Sequence, residues 1–207
     1  MVLADILKPI QGGLPFHVLD TTHPDAILEM EQSLPLQQTL FIVASKSGTT
    51  AETRALADHF YQQLKPALGK RTGLNFLAIT DPGTPLVEAA KEQGYRRTFL
   101  NYPDIGGRYS ALSYFGILPA ALMGIDVPLL LDRALRMCHA CTSYVPVHDN
   151  PGIMLGAALG EMALQGRDKV TILAPGMLNK FGMWLEQLLA ESTGKEGKGL
   201  LPVIDEP

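Results

Sequence analysis

The chain has 207 residues, of which 46% are apolar, with a formal net charge of −4. That is enough apolar side chain for a sizeable core in one domain, or in one domain and part of another. The weak negative balance and the absence of a basic run argue against nucleic acid and against an anionic membrane surface as partners. Two cysteines make no disulfide framework, and with no signal peptide at the start the expected setting is the reducing cytoplasm.

In chain order, Val2 to Ile10 has helical spacing and Gln11-Gly12-Gly13 ends it. Phe16-His17-Val18-Leu19 reads as a strand. The turn Asp20–Asp25 opens a helix through Leu34. Leu40 to Ala44 is short, apolar and β-branched, the pattern of a buried parallel strand. A hydroxyl-rich loop follows, then an amphipathic helix from Ala51 to about Leu68, with Leu56, Phe60 and Leu64 four apart. Asn75–Thr80 is a third strand, Asp81–Pro85 a loop, Leu86 to Gln93 a helix and Arg97–Asn101 a fourth strand. Strands alternating with helices through connections this short predict a parallel sheet covered on both faces.

Helices are expected next over Ser110–Met123, Pro128–Tyr144 and Gly152–Gln165, the last capped by His148-Asp149-Asn150-Pro151. Tyr109 to Ile125 is uncharged for 17 residues, short of the about 20 apolar residues that a membrane span needs, and it reads as a buried helix. Val170–Ala174 is a strand, Leu178–Ala190 a helix, and Leu201–Ile204 the start of another strand. This renewed alternation predicts a second α/β unit from about Lys169. There is no internal repeat.

The chemistry concentrates in three places. Ser45-Lys46-Ser47-Gly48-Thr49-Thr50 lies between a strand and a helix, where ligands of open α/β sheets bind. Four hydroxyls in six residues exceed the needs of a helix cap. Together with free helix N-terminal amides they suit an anion, most often phosphate, although the loop is not a Walker A sequence. In Gly106-Gly107-Arg108-Tyr109-Ser110, paired glycines can take positive φ and let backbone approach a ligand. Arg108 can present a fixed cation to a developing anion; a plain loop with a surface arginine fits the same residues equally well. Gln187 and Glu191 are four apart near a helix C-terminus, where the dipole tends to raise a carboxylate's pKa and suits it to base catalysis. On spacing alone Glu191 reads more readily as an ordinary solvated side chain. Cys138-His139-Ala140-Cys141 lacks the partner pair a zinc site needs, and its thiols are expected to face the core. His17, His23, His59 and His148 are scattered singly and carry no assigned role.

Taken in this order, the three segments resemble those of the phosphoglucose isomerase family, with a likeness over essentially the whole chain. It is most similar to the isomerase part of bacterial transaldolase/phosphoglucose isomerase fusions. The resemblance implies a three-layer α/β sugar isomerase domain over 1–145, a connecting helix over 146–168 and the beginning of a second such domain over 169–207. The family's Gly-Gly-Ser strand, which would precede the first helix, its ring-opening histidine and its late lysine have no counterpart. The sequence is therefore expected to be a central portion of a longer isomerase, lacking a first strand and inactive alone.

By position, the resemblance implies that Ser45, Ser47, Thr49 and Thr50 hold a sugar phosphate, with the Lys46 backbone N–H helping. Glu191 would move a proton between C1 and C2 of open-chain glucose 6-phosphate or fructose 6-phosphate. Arg108, beside Gly107, would stabilise the cis-enediolate, and Gln187 would bond sugar hydroxyls. No cofactor or metal is implied. Partners would be a hexose 6-phosphate and either a second copy, as a homodimer, or the missing parts of the isomerase. The rival readings are a non-catalytic sugar-phosphate-binding regulatory module, a degenerate fragment whose open sheet edge drives association, and an isomerase of mannose phosphate or of dual specificity.

Overall fold

The structure is a computed structural model that describes residues 2–7 and 12–204, apart from the side chains of Met177 and Asn179. It is mixed α/β. The chain folds as two compact units, Phe16–Pro119 and the described residues of Met1–Pro15 with Ala120–Pro207.

The first unit is built on three parallel strands in the order β1 (Phe41–Ala44), β2 (Phe76–Thr80) and β3 (Arg97–Leu100). Phe41 registers with Phe76 and Ala44 with Ile79, while Leu77 registers with Arg97 and Thr80 with Leu100. Every residue of β2 is buried, as a central parallel strand with both faces covered must be. Alternation sends Phe76 and Ala78 to one face and Leu77 and Ile79 to the other. On the first face Phe76, Ala78 and Val43 pack with Phe60 and Leu64 of α3 (Ala51–Leu68) and Leu86 and Ala90 of α4 (Pro85–Glu92). Phe76 stacks on Phe41 at 4.9 Å and on Tyr95 at 5.1 Å between ring centroids. On the opposite face Phe99, level with Ile79, meets Tyr114 at 5.5 Å. Tyr114 is the first residue of α5 (Tyr114–Leu122). The helix α2 (Pro24–Ser33) is tied to α3 by His59 Nε2 and Glu31 Oε1, 2.6 Å apart.

In the second unit, β4 (Lys169–Thr171) and β5 (Leu201–Val203) pair in parallel, with α8 (Asn179–Thr193) as their crossover. The helix α1 (Val2–Ile6) joins α8 through Asp5 and Lys180, whose Oδ2 and Nζ are 2.9 Å apart. Leu3, Ala4 and Leu7 pack on Ala120, Met123 and Ile125. Two further helices complete it: α6 (Val127–Ala140), capped by Asp126, and α7 (Pro151–Leu164), capped by Asn150.

Four sequence expectations change. The strand expected at Phe16–Leu19 does not form. Among the described residues β1 pairs only with β2, so its outer edge is left open; the 16–19 segment does not pair there, and Leu19 packs on the core instead. The single helix expected over Ser110–Met123 is a 3-10 turn over Gly107–Leu112, a break at Ser113 and then α5. Ser113 Oγ donates to the Ser110 carbonyl at 2.7 Å, a local bond that competes with helix continuation. The helix expected to reach Tyr144 stops at Ala140, where the Cys141 N–H is shared among three carbonyls. Cys138, inside α6, and Cys141, just beyond it, are exposed free thiols rather than core-facing ones. Residues 8–11, part of the first expected helix and its stop, lie outside the described residues.

Candidate functional site

The carboxyl ends of β1, β2 and β3 carry the loops 45–50, 81–84 and 101–106. Parallel strands align these ends, so the hydroxyl loop has the other two as neighbours. Ser45 is buried, and its N–H still donates to Ile79 O at 3.0 Å. From Lys46 the chain leaves the sheet and turns through Gly48, whose φ is +66°. Glycine is required twice over there: the backbone is left-handed, and a Cβ would lie 2.8 Å from Thr84 Cβ and 3.0 Å from Leu86 N.

The four hydroxyls pair with one another. Ser45 Oγ and Thr50 Oγ1 are 2.9 Å apart, and Ser47 Oγ and Thr49 Oγ1 2.8 Å. Ser45 Oγ also accepts the Gly48 N–H at 3.1 Å, and Ser47 Oγ the Thr49 N–H at 3.2 Å. Thr50 stands at the N-cap of α3, yet its side chain makes no cap bond. The positive end of an 18-residue helix dipole thus opens onto exposed Ser47, Thr49 and Thr50. The hydroxyl protons can rotate toward a tetrahedral anion at little cost, while Ser45 Oγ and Ser47 Oγ keep the backbone N–H groups they accept.

The Lys46 side chain turns back onto the protein. Its ammonium forms an ion pair with Asp81 and donates to the Pro103 carbonyl at 3.0 Å. Asp81 was legible in the sequence only as loop. The available signal was a carboxylate directly after a buried strand, at the end of the sheet where sites form.

Gly107 and Arg108 lie in the same unit, in the turn over Gly107–Leu112. The glycine pair does not use positive φ: Gly106 has φ −62°, and Gly107 is not left-handed either. Nothing lies within 4 Å of a Cβ position at Gly107, so no neighbour within the chain requires glycine there. Gln187 and Glu191 belong to the other unit, in the last two turns of α8. Gln187 Nε2 donates to Glu191 Oε1 at 3.1 Å, and Lys195 Nζ to the Glu191 carbonyl at 3.0 Å. The adjacent helix end is closed by Thr193, whose Oγ1 donates to Leu189 O at 2.7 Å and accepts the Leu200 N–H at 2.9 Å.

A hydroxyl cup at the carboxyl end of a parallel sheet is the anion-site arrangement of open α/β proteins. The family model for phosphoglucose isomerase matches residues 1–199. A glucose-6-phosphate isomerase of Synechococcus sp. strain JA-3-3Ab is 37% identical over 199 residues, 93% of this chain and 37% of that protein. One from Carboxydothermus hydrogenoformans is 33% identical over 194 residues, 92% of this chain and 41% of that protein. A hypothetical protein of Thermus thermophilus, solved by crystallography, superposes with a TM-score of 0.87 at 30% identity, over 98% of this chain and 49% of that one. The crystal structure of a glucose-6-phosphate isomerase from Chlamydia trachomatis gives a TM-score of 0.72 at 26% identity, over 88% and 35%.

The chain belongs to the phosphoglucose isomerase family. It spans about two fifths of the length of the curated relatives it matches. No helix among the described residues is long and apolar enough to cross a membrane.

Proposed function

We propose that this chain serves a glucose-6-phosphate isomerase and supplies it with a sugar-phosphate cup and a proton-transfer carboxylate. The reading extends to a sugar isomerase domain over 1–145, a connecting helix over 146–168 and the beginning of a second domain over 169–207. Its main support is the mutual pairing of Ser45 with Thr50 and of Ser47 with Thr49 at the uncapped start of α3. Phosphate oxygens would take over these hydroxyls and the backbone N–H of Lys46.

At C1 and C2 of the open-chain hexose, the Glu191 carboxylate would take the proton from one carbon and return it to the other. Taking it leaves a cis-enediolate, whose oxygen the Arg108 guanidinium would stabilise; a hydroxyl proton passing between the C2 and C1 oxygens completes the exchange of aldose and ketose. Removing an electrostatic donor of this kind costs about 3–4 kcal/mol in the barrier. Gln187, bonded to Glu191, would orient that carboxylate and bond sugar hydroxyls. Gly107 would let the ligand come close to backbone. The partners in this reading are a hexose 6-phosphate and either a second copy or the remaining part of an isomerase.

Calorimetry of this chain with 6-phosphogluconate tests the cup. Binding is expected, and the absence of heat from a folded sample overturns the assignment. Glu191→Gln in a full-length isomerase that carries this chain separates isomerase from regulatory binding module. Binding should persist while any interconversion of glucose 6-phosphate and fructose 6-phosphate is lost; turnover that survives removes Glu191 as the base.

A further inference from the structure

Lys46 is the one cation within the hydroxyl loop, and the obvious use for it is to attract phosphate. Its side chain is engaged elsewhere. The ammonium is held by the Asp81 carboxylate and by the Pro103 carbonyl at 3.0 Å. The Lys46 carbonyl accepts the Asp81 N–H at 3.2 Å and the Thr80 hydroxyl at 3.4 Å. Thr80 Oγ1 in turn pairs with Thr84 Oγ1 at 2.7 Å, and Thr84 is the side chain that fills the space beside Gly48. The end of β2 thus grips both the main chain and the side chain of the loop. Asp81 keeps only 14% of its side-chain surface exposed, and its second oxygen, Oδ1, is buried without a hydrogen-bond partner among the described residues. The charge of Asp81 is therefore spent on Lys46.

We propose that Asp81 is a positioning residue for the cup. Through Lys46 it latches the Ser45–Thr50 loop to the ends of β2 and β3, so that the ligand meets hydroxyls and amides rather than a mobile ammonium. This rests on the phosphate reading of the loop, but the latch exists without ligand and can be measured without it. Anion selection then comes from directed neutral donors in a preformed shape, which is set before binding and costs no ordering at the moment of contact. The freed lysine of a broken latch would instead attract anions of any shape, with the salt dependence of an exposed charge.

The test compares the 207-residue wild type with Asp81→Asn, and with Asp81→Glu as the conservative rescue, by two readouts. The first is amide hydrogen exchange without ligand. Asp81→Asn is expected to speed exchange at Gly48 and Thr49 by about tenfold, a shift of about 1.4 kcal/mol, while amides of β2 stay unchanged and Asp81→Glu restores part of the protection. The second is the Kd for glucose 6-phosphate at two ionic strengths. Asp81→Asn should raise it about tenfold and make it more salt-dependent. Unchanged exchange at Gly48 and Thr49 in folded Asp81→Asn overturns the latch. If that variant does not fold, Lys46→Met breaks the same pair from the other side. It must show the same acceleration, and failure to do so overturns the latch equally. Faster exchange in a chain that binds no sugar phosphate supports the latch and removes the phosphate reading alone.

Discussion

Gly48 shows what a single residue controls at this site. It has φ +66°, and Thr84 Cβ would stand 2.8 Å from any Cβ placed there. Gly83 has φ +74° with nothing within 4 Å. The pair separates backbone strain from crowding. Gly83→Ala should cost about 1–2 kcal/mol, the penalty of a left-handed L-residue. Gly48→Ala should cost about 2–4 kcal/mol, because the crowding against Thr84 adds to it, and it should weaken phosphate binding as well. Urea unfolding and calorimetry of the two variants check this. Tyr95 carries a second residue-scale prediction. Burial, then the negative charge of Asp58, then Tyr61, push its hydroxyl up to about 12 from the ordinary 10.0. The folded state thus favours the neutral phenol. That contribution is complete below pH 10, where neither state ionises, and is lost as pH climbs from there through about 12. Tyr95→Phe should flatten this alkaline loss while retaining the stack on Phe76, in urea unfolding followed from neutral to alkaline pH.

At the scale of elements, the helix starts differ in how deeply they are set. Asn150, fully buried, accepts the Ile153 N–H at 3.0 Å and donates from Nδ2 to Thr142 O at 3.2 Å. It therefore caps α7 and fastens the preceding loop. Asp126 caps α6 with one exposed bond, from the Leu129 N–H at 2.9 Å. Asp126→Ala should cost about 1 kcal/mol. Asn150→Ala should cost about 2–3 kcal/mol, since a cap is lost and the partly buried Thr142 carbonyl loses its partner. Thermal unfolding of both variants, referenced to wild type, gives the comparison. These helix starts were legible: Asp126 and Asn150 precede Val127-Pro128 and Pro151, and proline in the first turn is a local signal. The break at Ser113 was not, because it depends on which way one hydroxyl turns.

Over the molecule as a whole, apolar surface is unevenly covered. The helix α7 has no buried residue, and Leu155 and Leu164 are 63% and 84% exposed among the described residues. Apolar exposure gathered on one helix favours association in water. Sedimentation velocity should show mass rising with concentration, and the double change Leu155→Gln with Leu164→Gln should reduce that rise without altering circular dichroism. An unchanged concentration dependence would place the association elsewhere.

The amino-acid order alone was sufficient for the parallel α/β class, for the start and approximate end of α3, and for the three strands of the first sheet to within one residue. Those features are local: apolar runs bounded by turns, and periodicities of two and 3.6 residues. It also singled out the hydroxyl loop by composition. Only the tertiary structure decided that Phe16–Leu19 forms no strand, that the Cys138 and Cys141 thiols face solvent, and that the cation of Lys46 is bound to Asp81, 35 residues away. Each of those outcomes depends on a partner, or the lack of one, distant in the chain. A residue's neighbours in sequence carry its conformational preferences, but the groups that satisfy its hydrogen bonds and charge are assigned by the fold.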